Sequence, residues 1–184
     1  MAALADTRKV IAQDPVFTIA WLIALAGAAT IAGAWYFQYG LGLAPCPLCL
    51  EQRWPYYGAI PLALLIAVGA RSGLNRRLLI AGLGLIALAM LWGAGLGVYH
   101  AGVEWKWWAG PQDCSGAGFS AGPAGNLLRQ MQTARVVRCD EAPWRLLGLS
   151  LAGYNVLISL ALAALAALGV GLGLRRYGSS SVSQ

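Results

Sequence analysis

Charged residues divide the chain into four long uncharged stretches: Pro15–Leu50, Trp54–Ala70, Leu78–Val103 and Leu146–Leu174. A helix needs about 20 apolar residues, with about 17 as a lower limit, to cross a bilayer core of roughly 30 Å. All four stretches meet this, Trp54–Ala70 only just. In the first, the strongly apolar part is Val16–Phe37, which leaves its remainder as loop. Lipid offers no partner to a backbone N–H or C=O, so each crossing segment must be helical. The pattern predicts one all-α integral membrane domain over residues 1–184. Its spans fall near 16–37, 54–70, 78–99 and 146–174, with connecting loops over about 38–53 and 100–145. Arg8-Lys9 and Ala32-Gly33-Ala34 imitate a cleaved signal peptide. The apolar stretch exceeds the roughly 7–15 residues of a signal core, so a retained helix is expected.

Composition agrees with the pattern. Of 184 residues, 59% are hydrophobic and 11% charged, against about 25% charged in a soluble domain. The net charge of +6 comes from thirteen Lys and Arg against seven Asp and Glu. These basic residues are scattered and form no stripe, which argues against a nucleic-acid partner. Their distribution orients the chain instead. Three arginines crowd the short turn Arg71–Arg77, and Arg8, Lys9, Arg175 and Arg176 lie on the same side. Positive charge in short loops marks the cytoplasmic face, so both termini are expected there. The Tyr39–Arg53 and His100–Arg145 loops then face outward.

That orientation puts all four cysteines, Cys46, Cys49, Cys114 and Cys139, in the outward loops. The outer face of a bacterial inner membrane is an oxidising compartment in which disulfides persist. Cys46-Pro47-Leu48-Cys49 forms a C-x-x-C pair, an arrangement that can lower a thiol pKa. Arg53 lies four residues after Cys49. On a helix it would share that sulfur's face, and the helix N-terminus would add to thiolate stability. Trp54-Pro55 resists helix at that point, so Arg53 reaches toward Cys49 from a turn or from a helix. Zinc competes for any C-x-x-C, but Cys114 and Cys139 supply no second such motif, and no metal is expected. A purely structural pair of disulfides is the other alternative. Between those two cysteines, Asn126–Gln132 is expected to form a short surface helix capped by Asn126.

The chain resembles the disulfide bond formation protein B (DsbB) family. The resemblance rests on Cys46-Pro47-Leu48-Cys49-Leu50-Glu51-Gln52-Arg53, the Cys114/Cys139 pair, and Trp144-Arg145-Leu146-Leu147-Gly148-Leu149-Ser150 entering the last span. It implies a four-helix bundle that holds ubiquinone or menaquinone beside Cys46 and Cys49. Cys49 then makes the quinone contact, and Arg53 stabilises its thiolate and the quinone oxygen. His100 matches a family histidine near the quinone. Cys114 is implied to form the mixed disulfide with a periplasmic thioredoxin-fold DsbA-like protein, and Cys139 to pass electrons to Cys46. The quinol returns its electrons to the respiratory chain. A vitamin K epoxide reductase-like enzyme would carry its C-x-x-C near the last helix, whereas here it follows the first. A non-enzymatic scaffold stapled by disulfides would leave Cys46 and Cys49 inert.

Gly93 and Gly97, and Gly169 and Gly173, are spaced for close helix packing. Trp35, Tyr36, Trp54, Tyr56, Tyr57, Tyr99, Trp105, Trp107 and Trp108 are expected to form an outer interfacial belt.

Overall fold

The structure is a computed structural model that describes residues 14–111 and 138–181. Cys114 and the helix expected from Asn126 lie outside the described residues. Helix α1 (Pro15–Trp35) starts where Asp14 accepts the Val16 N–H at 3.1 Å. Pro15 fills its first turn, where a missing N–H leaves no bond unmade. The chain then widens into a π-helical turn, Tyr36–Gly40. A short helix α2 (Pro47–Glu51) is followed by α3 (Trp54–Arg71) and α4 (Arg76–Glu104). Strands β1 (Arg145–Leu146) and β2 (Leu149–Ser150) pair antiparallel before α5 (Leu151–Ser181). Their connection is Leu147-Gly148, with φ of 51° and 82°. Two left-handed residues in succession form the tight turn that matches strand twist.

Two helix ends depart from the apolar pattern. Helix α4 continues past Tyr99 to Glu104, so His100 and Glu104 are helical and buried rather than the start of a loop. Helix α5 begins at Leu151 because the hairpin occupies the apolar residues before it.

Helix α1 lies against α3 and α5, and α4 lies against the same two helices. Val16, Ile23, Leu83, Met90 and Ala166 meet in the shared core with essentially no exposure. An Arg76–Asp14 ion pair at 3.3 Å ties the starts of α4 and α1 together. Outward faces carry Leu25, Leu65, Leu85, Leu88 and Trp92, all more than half exposed. Apolar surface on that scale suits lipid and not water. Three helical segments are long and apolar enough to cross a membrane: Pro15–Gly40, Arg76–Glu104 and Leu151–Arg176. The belt aromatics are exposed with one exception, Tyr56, which is 2% exposed and belongs to the core.

Glycines set the closest helix approaches. A Cβ on Gly97 would stand 2.7 Å from Val156 Cγ2, and one on Gly173 would stand 2.8 Å from Ile80 Cγ1. Gly97→Val is therefore expected to destabilise the α4–α5 contact by about 1–3 kcal/mol, the usual cost of overpacking. Thermal unfolding in detergent measures it, and an unchanged transition would mean that α5 yields freely.

Candidate active site

The Cys46 sulfur caps α2, accepting the Cys49 N–H at 3.2 Å. Pro47 follows at the first helical position, and a single turn then brings the two sulfurs to 2.9 Å, with Cys46 donating to Cys49. That hydrogen bond holds the Cys49 thiol below its ordinary range. Burial and the Glu104 charge oppose the shift, and the Arg53 charge assists it. The same hydrogen bond pushes Cys46 up, and its burial adds to the effect. Cys49 is therefore the more acidic thiol of the pair and Cys46 the less acidic.

The two sulfurs face different surroundings. Cys49 opens on a cavity of about 480 Å³, whereas Cys46 turns inward. Ala29, Gly33 and Ala34 of α1 give the cavity small, apolar lining, to which Trp144 and Tyr154 add aromatic surface. Gln38, Gln52, Arg53, His100 and Asn155 make its polar end. Cys46 instead packs with Leu48, Val103 and Cys139. The sulfurs of Cys46 and Cys139 and a ring nitrogen of His100 all lie within 4.8 Å of one another. Cys139 is disulfide-bonded, so it is not available as a thiolate ligand and the trio is no metal site in this form. Cys46 and Cys49 are both free.

Exposed ion pairs stand beside Cys139 in the chain. Asp140 pairs with Lys106, which follows α4, and with Arg138 at 2.9 Å, while Arg138 also reaches Glu141 at 3.4 Å. Hydrogen bonds from Arg138 and Lys106 keep the Asp140 carboxyl well below the usual carboxylate range.

Arg53 lies in the break between α2 and α3, and so reaches the site from a turn. Its Nη1 donates to Gln38 Oε1 at 2.7 Å. Gln38 sits in the π-helical turn, a distortion common at functional sites. Behind the sulfurs runs a buried polar chain. Gln52 Nε2 contacts His100 Nδ1 at 2.7 Å, and Asn155 Nδ2 donates to Gln52 Oε1 at 2.7 Å. The Tyr56 hydroxyl donates to Asn155 Oδ1 at 2.8 Å and meets Ser159 Oγ at 2.9 Å. His100 also lies 3.6 Å from Cys46 Sγ. The sequence motifs pointed to the cysteines and Arg53, and the family resemblance to His100; Gln38, Gln52, Tyr56, Glu104 and Asn155 join them only in the fold. An amide or acid within or beside an apolar run was the available signal.

Because Cys49 is the more acidic thiol, it keeps its negative charge as pH falls, until the pH passes through its lowered pKa. Its contribution to stability is present above the ordinary thiol pKa and is lost over that same descent. Iodoacetamide at about pH 7, below the usual thiol value of about 8.5, is expected to label Cys49 of the reduced protein well before Cys46. Peptide mass mapping reads the order, and Cys46 reacting first would reverse the assignment.

An acidic thiol at the mouth of an apolar cavity, with a disulfide-bonded cysteine behind its partner, defines a helical membrane protein built for dithiol redox chemistry. Residues 17–169 match the family model described as Disulfide bond formation protein DsbB. The chain belongs to that family. A relative from Marinobacter nauticus named Disulfide bond formation protein B is 36% identical, covering 85% of this chain and 90% of its own. Relatives of the same name from Verminephrobacter eiseniae and Xanthomonas oryzae pv. oryzae are 35% and 34% identical, covering 81% and 78% of this chain and 85% and 84% of theirs. No solved structure matches the chain.

Proposed function

We propose that the protein is a thiol:quinone oxidoreductase of the bacterial inner membrane. It reoxidises a periplasmic thioredoxin-fold dithiol oxidase of the DsbA type and passes the electrons to ubiquinone or menaquinone, and so sustains disulfide formation. One observation carries this reading: Cys49 opens on the cavity while Cys46, hydrogen-bonded to it, lies within 4.8 Å of the Cys139 sulfur. One pair thereby has a lipid-side face and a loop-side face.

In this reading the four long helices form a membrane-spanning bundle with both termini cytoplasmic. The partner's thiolate attacks Cys114 of a Cys114–Cys139 disulfide. Cys139, released, attacks Cys46 of the oxidised Cys46–Cys49 pair, and Cys49 leaves as the thiolate. Each step exchanges one S–S bond for another, with direction set by relative reduction potentials. Over one cycle the partner dithiol loses two electrons and two protons, which the quinone gains as quinol.

The cavity's chemistry suits such a group. A quinone presents two carbonyl oxygens on an apolar ring, and the cavity offers Arg53, Gln52, His100 and Asn155 at one end and an apolar α1 wall along its side. When bound, the quinone supplies a two-electron acceptor. Arg53 provides positive charge for a developing oxyanion and for the Cys49 thiolate, and His100 contributes hydrogen bonding beside it. The aromatic and apolar walls exclude water.

The test is turnover. The purified protein, a reduced DsbA-type protein and either quinone are mixed, and loss of quinone absorbance is followed. Stoichiometric oxidation of the partner supports the reading, and no turnover with either quinone class overturns it.

A further inference from the structure

Two backbone carbonyls fix how the buried polar chain is protonated. Gln52 Nε2 lies 3.3 Å from the Leu48 carbonyl, and Asn155 Nδ2 lies 3.5 Å from the Gly93 carbonyl. A carbonyl only accepts, so in both amides the nitrogen must be the atom that faces it. The second hydrogen of Gln52 Nε2 is then donated to His100 Nδ1, 2.7 Å away. Nδ1 is therefore the lone-pair nitrogen, and the neutral ring carries its proton on Nε2. Asn155 donates to Gln52, and Tyr56 to Asn155. With its own proton committed, the Tyr56 hydroxyl accepts from Ser159. Every bond from Ser159 to His100 points the same way, and the run stitches α5, α3 and α4 together.

The ring's one proton thus sits at the edge that faces the cysteines. Cys46 Sγ lies 3.6 Å from Nε2. Glu104 Oε1, at 3.8 Å, is beyond hydrogen-bond range. The Cys139 backbone also hydrogen-bonds the ring. Because Nδ1 is occupied, that bond belongs to the Nε2–H, and its acceptor is the Cys139 carbonyl. His100 is buried, so bulk water does not compete for the proton. One ring edge therefore reaches the backbone of Cys139 and the sulfur of Cys46. The tautomer decides this. With the proton on Nδ1, Nε2 would turn a lone pair on the carbonyl, and Cys139 would lose the bond that seats it.

We infer that Gln52 is a positioning residue for exchange between the two loops, because it holds His100 in the one tautomer that can fasten the Cys139 backbone beside Cys46. The inference rests on the proposed function. In the step concerned, the Cys139 thiolate, freed when the partner opens the Cys114–Cys139 disulfide, bonds to Cys46. The Cys46–Cys49 bond breaks, and its electron pair leaves on Cys49 as thiolate. The ring neither gains nor loses a proton. Its part is to keep the attacking residue in place, so that the two sulfurs meet from a fixed, near approach.

The chain has a single histidine, so ¹⁵N-histidine labelling of the full-length protein in detergent gives one pair of ring signals. In the wild type they should show a protonated Nε2 and an unprotonated, hydrogen-bonded Nδ1. Gln52→Met keeps the side chain's length and removes the donor, and its ring should lose that fixed pattern. Exchange is then followed with both cysteine pairs oxidised, quinone removed and a reduced DsbA-type protein added. Acid quenching, alkylation and peptide mapping separate opening of the Cys114–Cys139 disulfide from release of the Cys49 thiol. Gln52→Met should slow the second step about 10-fold relative to the first, the scale of one hydrogen bond. A wild-type ring protonated on Nδ1 overturns the inference whatever the variant does. A variant that releases Cys49 at the wild-type rate overturns it as well. Equal slowing of both steps does the same, because that is the mark of lost packing. Wild-type protein whose disulfides no reduced partner opens overturns the proposed function instead, so the two failures are distinct.

Discussion

Cys49→Ala is expected to reduce quinone-coupled turnover by about 10⁴-fold or more, the scale on which enzymes lose activity without their nucleophile. The reason is positional as well as chemical. Cys49 is the sulfur that opens on the cavity, while Cys46 points away from it toward Cys139. Cys46 cannot substitute for it, because it does not line the cavity and its burial still pushes its thiol up once the Cys49 sulfur is gone. The fold should survive, since alanine keeps the short helix and removes only a partly exposed sulfur. Loss of quinone absorbance gives the rate, and thermal unfolding beside the wild type separates lost chemistry from lost structure. Turnover within tenfold of wild type would show that the cavity is not where electrons leave the protein.

Arg53→Gln is expected to be the second most damaging change, lowering turnover about 10²-fold, as loss of one preorganised oxyanion donor does elsewhere. Two effects add. The positive charge that helps lower the Cys49 pKa disappears, and the cavity loses the only Lys or Arg among its described lining residues. Alkylation of Cys49 should therefore need a higher pH in this variant, while the quinone concentration for half-maximal rate rises. Gln38→Leu removes only the 2.7 Å contact that orients the guanidinium, so it should raise that concentration with a smaller fall in maximal rate. An Arg53→Gln protein with unchanged Cys49 acidity would separate the arginine from the sulfur.

The helices were legible because charge-free length is enough to identify them, and the cysteines and Arg53 were legible because a short motif carries them. The rest of the site was hidden for physical reasons. Asn155 and Gln52 stand 103 positions apart in the chain yet share a hydrogen bond, a pairing that no local spacing would suggest. Tyr56 looks like its neighbour Tyr57 in sequence, but one fills the core while the other meets the surroundings. The charge-free stretch ran to Val103, but the span was ended near Tyr99 and His100 onward was assigned to the outward loop. The helix carries Glu104 inward, where His100 and Ser150 meet it. The π-helical turn that carries Gln38 left no mark in the residue pattern.

The cluster of Lys106, Arg138, Asp140 and Glu141 joins the end of the second loop to the end of α4 entirely at the surface, whereas the cavity chain lies inside. Dissolved ions reach the first and not the second. Screening shortens from about 8 Å at physiological ionic strength to about 3 Å at 1 M, so salt loosens the clasp that seats Cys139 and leaves the amides around His100 untouched. On the proposed function, a salt titration is therefore expected to slow delivery of electrons to Cys46 more than their departure from Cys49.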